Sequence, residues 1–162
     1  MKSFKTFSGI AAPLIRVNID TDAIIPSREI KTVSKKGLSG GLFAEWRYLS
    51  LESRKENPDF ILNQDPFKKA SILVTGNNFG CGSSREHAVW ALSEWGIRAI
   101  IAPSYGSIFY SNCIKNGILP IVMDGRVISS MSEFIKDNPE ENRLTVNLIK
   151  NDPNENAIAI EN

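Results

Sequence analysis

Residues 71–87 constrain this chain more than any other stretch. Ser71-Ile72-Leu73-Val74-Thr75 is a short run rich in β-branched residues, the pattern of a buried strand. Gly76, Gly80 and Gly82 follow, and glycine lets a backbone turn sharply while leaving little bulk between its amides and a ligand. Ser83 and Glu86 have the S-x-x-E spacing of a capping box, which predicts a helix beginning at Ser83 or Ser84. Ala88, Ala91, Leu92 and Trp95 then share one helical face, so that helix has a side to bury. A strand that feeds a helix through glycines presents unpaired N–H groups and the positive end of the helix dipole, a site for an anion. Arg85 adds a planar fork that matches a carboxylate or phosphate. The same spacing also describes an ordinary capped helix start, and on spacing alone both readings stand. A dinucleotide fingerprint needs a third glycine where Arg85 stands, and a Walker loop needs Gly-Lys followed by Ser or Thr. Residue chemistry thus reaches an anion site at a helix N-terminus, suited to a carboxylate.

Composition narrows the chemistry further. The 162 residues fit one domain with a sizeable core. Nineteen Lys and Arg against eighteen Asp and Glu leave a net charge of +1 with no basic block, which argues against a nucleic-acid partner. The sequence has no uncharged apolar run long enough to span a bilayer, and Met1-Lys2-Ser3-Phe4 opens a polar segment without a signal peptide's apolar core. The expectation is a cytoplasmic protein with no membrane contact. Cys81 and Cys113 are the only cysteines and His87 the only histidine. Those residues cannot build a four-ligand zinc site or a cysteine-held iron-sulfur cluster within this chain. Both thiols are expected to be free, one in the turn and one in a helix. A Ser-His-Asp triad would need Ser83 or Ser84 and His87 on one helix turn, which is not how triads are usually assembled.

Taken in order, residues 4–17 predict one or two strands with Pro13 at a turn or edge. Residues 18–26 read as a loop whose Asx and Thr side chains bond their own backbone. Residues 27–41 carry Arg28, Lys31, Lys35 and Lys36 and then three glycines, the composition of a mobile binding loop. A short helix is expected over 42–49 with Leu42, Trp46 and Leu49 inward, followed by loop to Asp65 with a short apolar element at 60–62. From Ser71 the elements alternate: a strand over 98–102, a helix from Pro103-Ser104 ending near Gly117, and a strand over 118–123. A helix with Val127, Met131, Phe134 and Ile135 inward then stops before Pro139, with strands over 143–150 and 157–160. Strands separated by single helices imply a parallel βαβαβ core with right-handed crossovers. The turns after Thr75 and Ala102 should therefore share the carboxyl rim of the sheet, where ligands of such folds bind, with Asp22 and the 28–41 loop within reach.

At this point a family resemblance enters. Asn78-Phe79-Gly80-Cys81-Gly82-Ser83-Ser84-Arg85-Glu86-His87-Ala88, the upstream Asn18-Ile19-Asp20-Thr21-Asp22-Ala23-Ile24-Ile25-Pro26, and Phe43-x-Glu45-Trp46-Arg47-Tyr48 resemble the small subunits of 3-isopropylmalate dehydratase, in the aconitase superfamily. Asn57-Pro58-Asp59-Phe60, Ile108-Phe109-Tyr110-x-Asn112-Cys113 and Asn116-Gly117-x-Leu119-Pro120-Ile121 extend the match in the right order over nearly the whole chain. The resemblance implies an α/β fold, a single swivelling β/β/α domain over residues 1–162 like the mobile last domain of aconitase. It implies a large-subunit partner that carries a four-iron, four-sulfur cluster, with no cofactor or metal bound by this chain. The implied reaction isomerises a small dicarboxylate, 2-isopropylmalate, to 3-isopropylmalate by dehydration and rehydration in leucine biosynthesis, and the small subunit is inactive alone.

Carried over position by position, the resemblance makes Ser83 the base, acting as an alkoxide. Ser84, Arg85 and Asp22 become substrate-binding residues, and the 27–41 loop becomes the specificity segment, with Ile30 and Val33 receiving the isopropyl group. A Ser83 hydroxyl engaged in a capping box would not be free for this role, so Ser84 or the backbone is expected to take the cap while Ser83 points outward. Homoaconitase-, citraconate- or methylmalate-type relatives would share the scaffold, and Arg28 and Lys31 keep a further-carboxylate substrate open. A non-catalytic carboxylate- or partner-binding domain is the competing class. Three departures from the family pattern stand out: Val89 where proline is usual, Gly106-Ser107 where Ala-Asp is common, and a chain that ends soon after Ile160 where relatives continue, which leaves the completeness of the chain and the strength of partner docking open.

Overall fold

A computed structural model describes residues 6–30, 36–147 and 157–160. The chain opens with two four-residue strands, β1 (Thr6–Gly9) and β2 (Ala11–Leu14). Two single-turn helices follow, α1 (Thr21–Ile24) and α2 (Ala44–Arg47). The alternating part comprises β3 (Ile72–Thr75), α3 (His87–Trp95), β4 (Ala99–Ala102), α4 (Ser107–Lys115), β5 (Leu119–Val122) and α5 (Gly125–Asp137). Strands β6 (Leu144–Asn147) and β7 (Ala157–Ile160) complete it.

Strands β2, β3, β4 and β5 lie in that order in one parallel sheet. Every residue of β3 and β4 is buried, which is why both read as unbroken apolar runs rather than alternating ones. The expected βαβαβ core is present, and β2 adds a fourth parallel strand at its edge with Pro13 on it. An edge position suits proline, which has no amide to give to a ladder. A second sheet pairs β1, β6 and β7 antiparallel. Two sheets with helices packed on the parallel one give the anticipated α/β architecture. Helix α5 lies against β2, β3 and β4.

Four helix expectations are corrected. Helix α3 starts at His87, not at Ser83 or Ser84, and no side chain caps it. The capping box does not form: the Ser83 hydroxyl meets Thr21, and the Glu86 carboxylate accepts from Asn116 Nδ2 at 3.2 Å. Helix α4 starts at Ser107, not at Pro103, because the preceding residues are extended: the Phe79 amide donates to the Ser104 carbonyl at 3.1 Å and Phe79 bridges Tyr105. In α5 the inner stripe is Ile128, Met131 and Ile135, while Val127 is 45% exposed. The Asp124 carboxylate accepts the Arg126 amide at 2.8 Å and caps the helix start. Leu49 also lies outside the core, because α2 ends at Arg47 and the Leu49 amide donates to the Lys55 carbonyl.

The turn leaving β3 is held from beneath by aromatic packing. Phe79 is fully buried with its ring 5.3 Å from that of Phe109, edge to face. Gly80 has φ +76°, and a Cβ on it would stand 2.2 Å from the Phe109 ring. Gly80→Ala is therefore expected to lower unfolding stability by about 1–3 kcal/mol, from overpacking and backbone strain together. Gly40→Ala, where a Cβ meets nothing within 4 Å, should be close to neutral. Urea unfolding of the two variants checks this, and equal midpoints would contradict it.

Candidate active site

Parallel pairing continues past the end of β2. The Asn18 amide donates to the Asn77 carbonyl at 2.8 Å, the Gly80 amide to the Ile19 carbonyl at 2.7 Å, and the Thr21 amide to the Cys81 carbonyl at 2.9 Å. On the other side, the Gly106 amide donates to the Phe79 carbonyl at 2.9 Å, and the Ser104 hydroxyl donates to Asn77 Oδ1 at 2.6 Å while accepting the Asn78 amide at 2.8 Å. The segments leaving β2, β3 and β4 thus form one rim at the carboxyl end of the sheet, as the topology required.

Ser83 and Ser84 are exposed on this rim. Ser83 Oγ lies 3.0 Å from Thr21 Oγ1. Arg85 Nη1 donates to Asp22 Oδ1 at 3.3 Å and to the Ile25 carbonyl at 3.1 Å. The Arg85 side chain is 24% exposed and that of Asp22 58%, so the pair faces solvent from a partly sheltered guanidinium. Asp20, the other acid of the loop, accepts the Ala23 amide at 2.7 Å and opens α1. The structure therefore brings Ser83, Arg85 and Asp22 together across about sixty residues of sequence. Ile30 is half-buried against the core just past a 3-10 turn over Ser27–Glu29. Val33 lies outside the described residues. Thr21 is the neighbour that sequence reasoning missed; the Asp-Thr-Asp motif drew attention to its acids, and nothing local marks the threonine as reaching Ser83.

The start of α3 places its positive end just beyond Arg85. Among the described residues, no three His, Cys, Asp or Glu side chains converge as metal ligands. Cys113 is buried, which pushes its thiol well above the ordinary value, and Cys81 is half-buried. These thiols do not make a donor set for an iron-sulfur cluster. No helix among the described residues is long and apolar enough to cross a membrane.

The end of the 27–41 segment, from residue 36 on, and the adjoining Leu42 are held from two sides. Glu94 on α3 accepts the Gly37 amide at 2.7 Å and the Ser39 amide at 2.8 Å. The buried Arg47 donates from Nη1 to the Ser39 and Leu42 carbonyls at 2.8 and 2.9 Å, and from Nη2 to the Tyr48 hydroxyl, which donates to the Gly40 carbonyl. Burial lowers the Arg47 ionisation, and its guanidinium stacks 4.6 Å from the Trp95 ring.

Residues 1–126 match the family model for the aconitase C-terminal domain, so the fold and rim define a domain of that class. The small subunit of 3-isopropylmalate dehydratase from Cupriavidus necator is 55% identical over 148 residues, covering 91% of this chain and 71% of the relative. Proteins of the same name from Leptospira interrogans and Rhodospirillum rubrum are 51% and 59% identical, and the chain spans 67% and 58% of their lengths. A solved structure of 3-isopropylmalate dehydratase from Methanocaldococcus jannaschii superposes with a TM-score of 0.61 at 29% identity, over 96% of this chain and 80% of that one. This chain belongs to the family of 3-isopropylmalate dehydratase small subunits.

The Ser39 amide chiefly, with the Gly37 and Leu38 amides, holds the Glu94 carboxyl below its ordinary 4.5. A carboxyl lowered on folding stabilises the fold fully above its unfolded value and loses that contribution as pH falls through the lower folded value. Hydrogen-exchange protection of the Gly37 and Ser39 amides, corrected for intrinsic rates, is thus expected to be constant from pH 7 to 5 and to fall below about 4.5. Glu94→Gln should show reduced protection at pH 7; unchanged protection in that variant would contradict the anchoring role.

Proposed function

We propose that this chain is the small subunit of a hydro-lyase that converts 2-isopropylmalate to 3-isopropylmalate, in leucine biosynthesis in the cytoplasm, and that it turns over only when docked on a large subunit. The observation that carries this reading is the meeting of Ser83, Arg85 and Asp22 on one open rim, built by segments whose order matches the family.

On this reading Arg85 binds a substrate carboxylate in place of its 3.3 Å contact with Asp22, and its planar fork fixes the carboxylate's orientation. Ser84 donates from the adjacent position. Ser83, as alkoxide, takes the proton from the carbon beside that carboxylate. The new O–H bond forms as the C–H electron pair becomes the second bond of an alkene, and hydroxide leaves the neighbouring carbon. A four-iron, four-sulfur cluster on the large subunit would supply Lewis acidity at the departing hydroxyl. Return of the Ser83 proton during hydration completes the isomerisation.

Two further observations support the reading. Ile30 is half-buried against the core and with Val33 would receive the isopropyl group, while Arg28 carries an exposed pairing with Glu45 at 2.9 Å. Ile15, Val17, Ile108 and Val122, all 45% exposed or more, lie by topology at the same rim. Apolar side chains around a polar site suit coverage by another protein.

Reconstitution with a cluster-loaded large subunit tests the proposal. Ser83→Ala is expected to lower kcat by about 10²–10⁴-fold with little change in KM, as loss of a base requires. Arg85→Lys should instead raise KM by about tenfold or more, since an ammonium cannot replace the fork. Full activity of Ser83→Ala, or a preference for homoaconitate over isopropylmalate, would overturn the base or the substrate assignment respectively.

A further inference from the structure

Thr21 is 2% exposed, and its hydroxyl faces Ser83 twice: Oγ1 lies 3.0 Å from Ser83 Oγ and donates to the Ser83 carbonyl at 3.2 Å. Its backbone is fixed at both ends, the amide donating to the Cys81 carbonyl at 2.9 Å and the carbonyl accepting the Ile25 amide at 3.0 Å. Gly82 packs beside it, a Cβ at Gly82 standing 3.8 Å from Oγ1. The threonine thus has little freedom, whereas the serine it touches sits on an exposed coil.

We infer that Thr21 is the positioning residue for Ser83, an inference that rests on Ser83 being the base. A threonine hydroxyl carries one proton, and here two acceptors on Ser83 are within its reach. With Ser83 protonated, Thr21 gives its proton to the Ser83 carbonyl and accepts the proton of the Ser83 hydroxyl. With Ser83 ionised, rotation about the Thr21 C–O bond turns that single proton onto the alkoxide, and no heavy atom moves. The hydrogen bond so formed is charge-assisted, and it exists only in the state that abstracts a proton. Stabilisation confined to that state raises kcat and leaves substrate binding alone. The same contact orients the Ser83 side chain before substrate arrives, on a segment where neither helix nor strand would do so.

Thr21→Val removes the hydroxyl and keeps the shape; Thr21→Ser keeps the hydroxyl. In the reconstituted pair, Thr21→Val is expected to lower kcat about 10- to 100-fold with KM within about twofold, and Thr21→Ser to stay within a few-fold of the parent. A readout independent of turnover is the pair of three-bond Hα–Hβ couplings of Ser83, which report its χ1 rotamer, in the full chain labelled with ¹³C-serine. One rotamer is expected in the parent and in Thr21→Ser, and an average in Thr21→Val. Should valine not be accommodated, Thr21→Ala and Thr21→Ser differ by the hydroxyl alone and give the same comparison. Parent kcat in Thr21→Val, equal impairment of Thr21→Ser and Thr21→Ala, or a single Ser83 rotamer without the hydroxyl would each overturn the inference. Full activity of Ser83→Ala would instead remove the reading beneath it, and the two failures are separable because they come from different variants.

Discussion

The site depends on a backbone ladder that carries parallel pairing beyond the edge of its sheet. Strands β2 and β3 pair residue for residue, and the chains leaving them stay paired through the amides of Asn18, Thr21 and Gly80. That ladder fixes Thr21 and Asp22 against Ser83 and Arg85 without drawing on any of their side chains. The approach is close: a Cβ at Gly76 would stand 2.3 Å from the Arg16 carbonyl oxygen. Main-chain groups hold the two segments together, and the side chains of Thr21, Ser83, Asp22 and Arg85 meet one another across that seam.

The late start of α3 matters for the same reason. Had the helix begun at Ser83, the hydroxyl would have been committed to an amide, a bond worth about 1 kcal/mol as a cap. Instead α3 opens without a side-chain cap, and residues 83–85 remain as coil on the rim at its positive end. Stability that local rules would have taken for the helix terminus is forgone at the serine that the proposed reading makes the base. Packing elsewhere offsets it: Phe79 and Phe109 support the turn, and the Tyr105 hydroxyl lies 2.9 and 2.6 Å from the Ile100 and Ile121 carbonyls, tying β4 to β5.

Most of the parallel core was legible because β3 and β4 are buried on both faces, and total burial writes itself as an apolar run. The rim followed from topology, and Arg85 from its position after the glycines. Pairing of β2 was not legible: Ala11-Ala12-Pro13-Leu14 is short, and its partner lies about sixty residues away with no hairpin signal between. The capping box at Ser83 and Glu86 was read by a local rule, and both side chains meet distant partners, Thr21 and Asn116, instead. The first turn of the expected second helix was lost in the same way, since Ser104 and Tyr105 pair with the turn after β3. Anchoring of residues 36–42 by Glu94 and Arg47 likewise joins parts of the chain that no periodicity connects. Local chemistry sets which elements exist; contacts across the chain decide where they begin and what their polar residues do.

An exposed serine on such a rim is a poor base in water. On the proposed reading, water screens the charges beside Ser83, so the contributions of Arg85, Thr21 and the α3 dipole to an alkoxide are weak while the rim is open. Covering the rim strengthens all three at once, because each is electrostatic and each grows as the local dielectric falls. The solvent-facing valines and isoleucines at the ends of β2 and β5 and the start of α4 are the residues such a cover would contact. On the proposed reading, this chain contributes groups already held in place by its own backbone, and the second protein excludes water, which costs an alkoxide its hydration but lets those fixed groups act on it at full strength. On that reading, division of the site between two chains has a physical consequence: the groups that offset the desolvation of a serine alkoxide act at full strength only once the two surfaces meet.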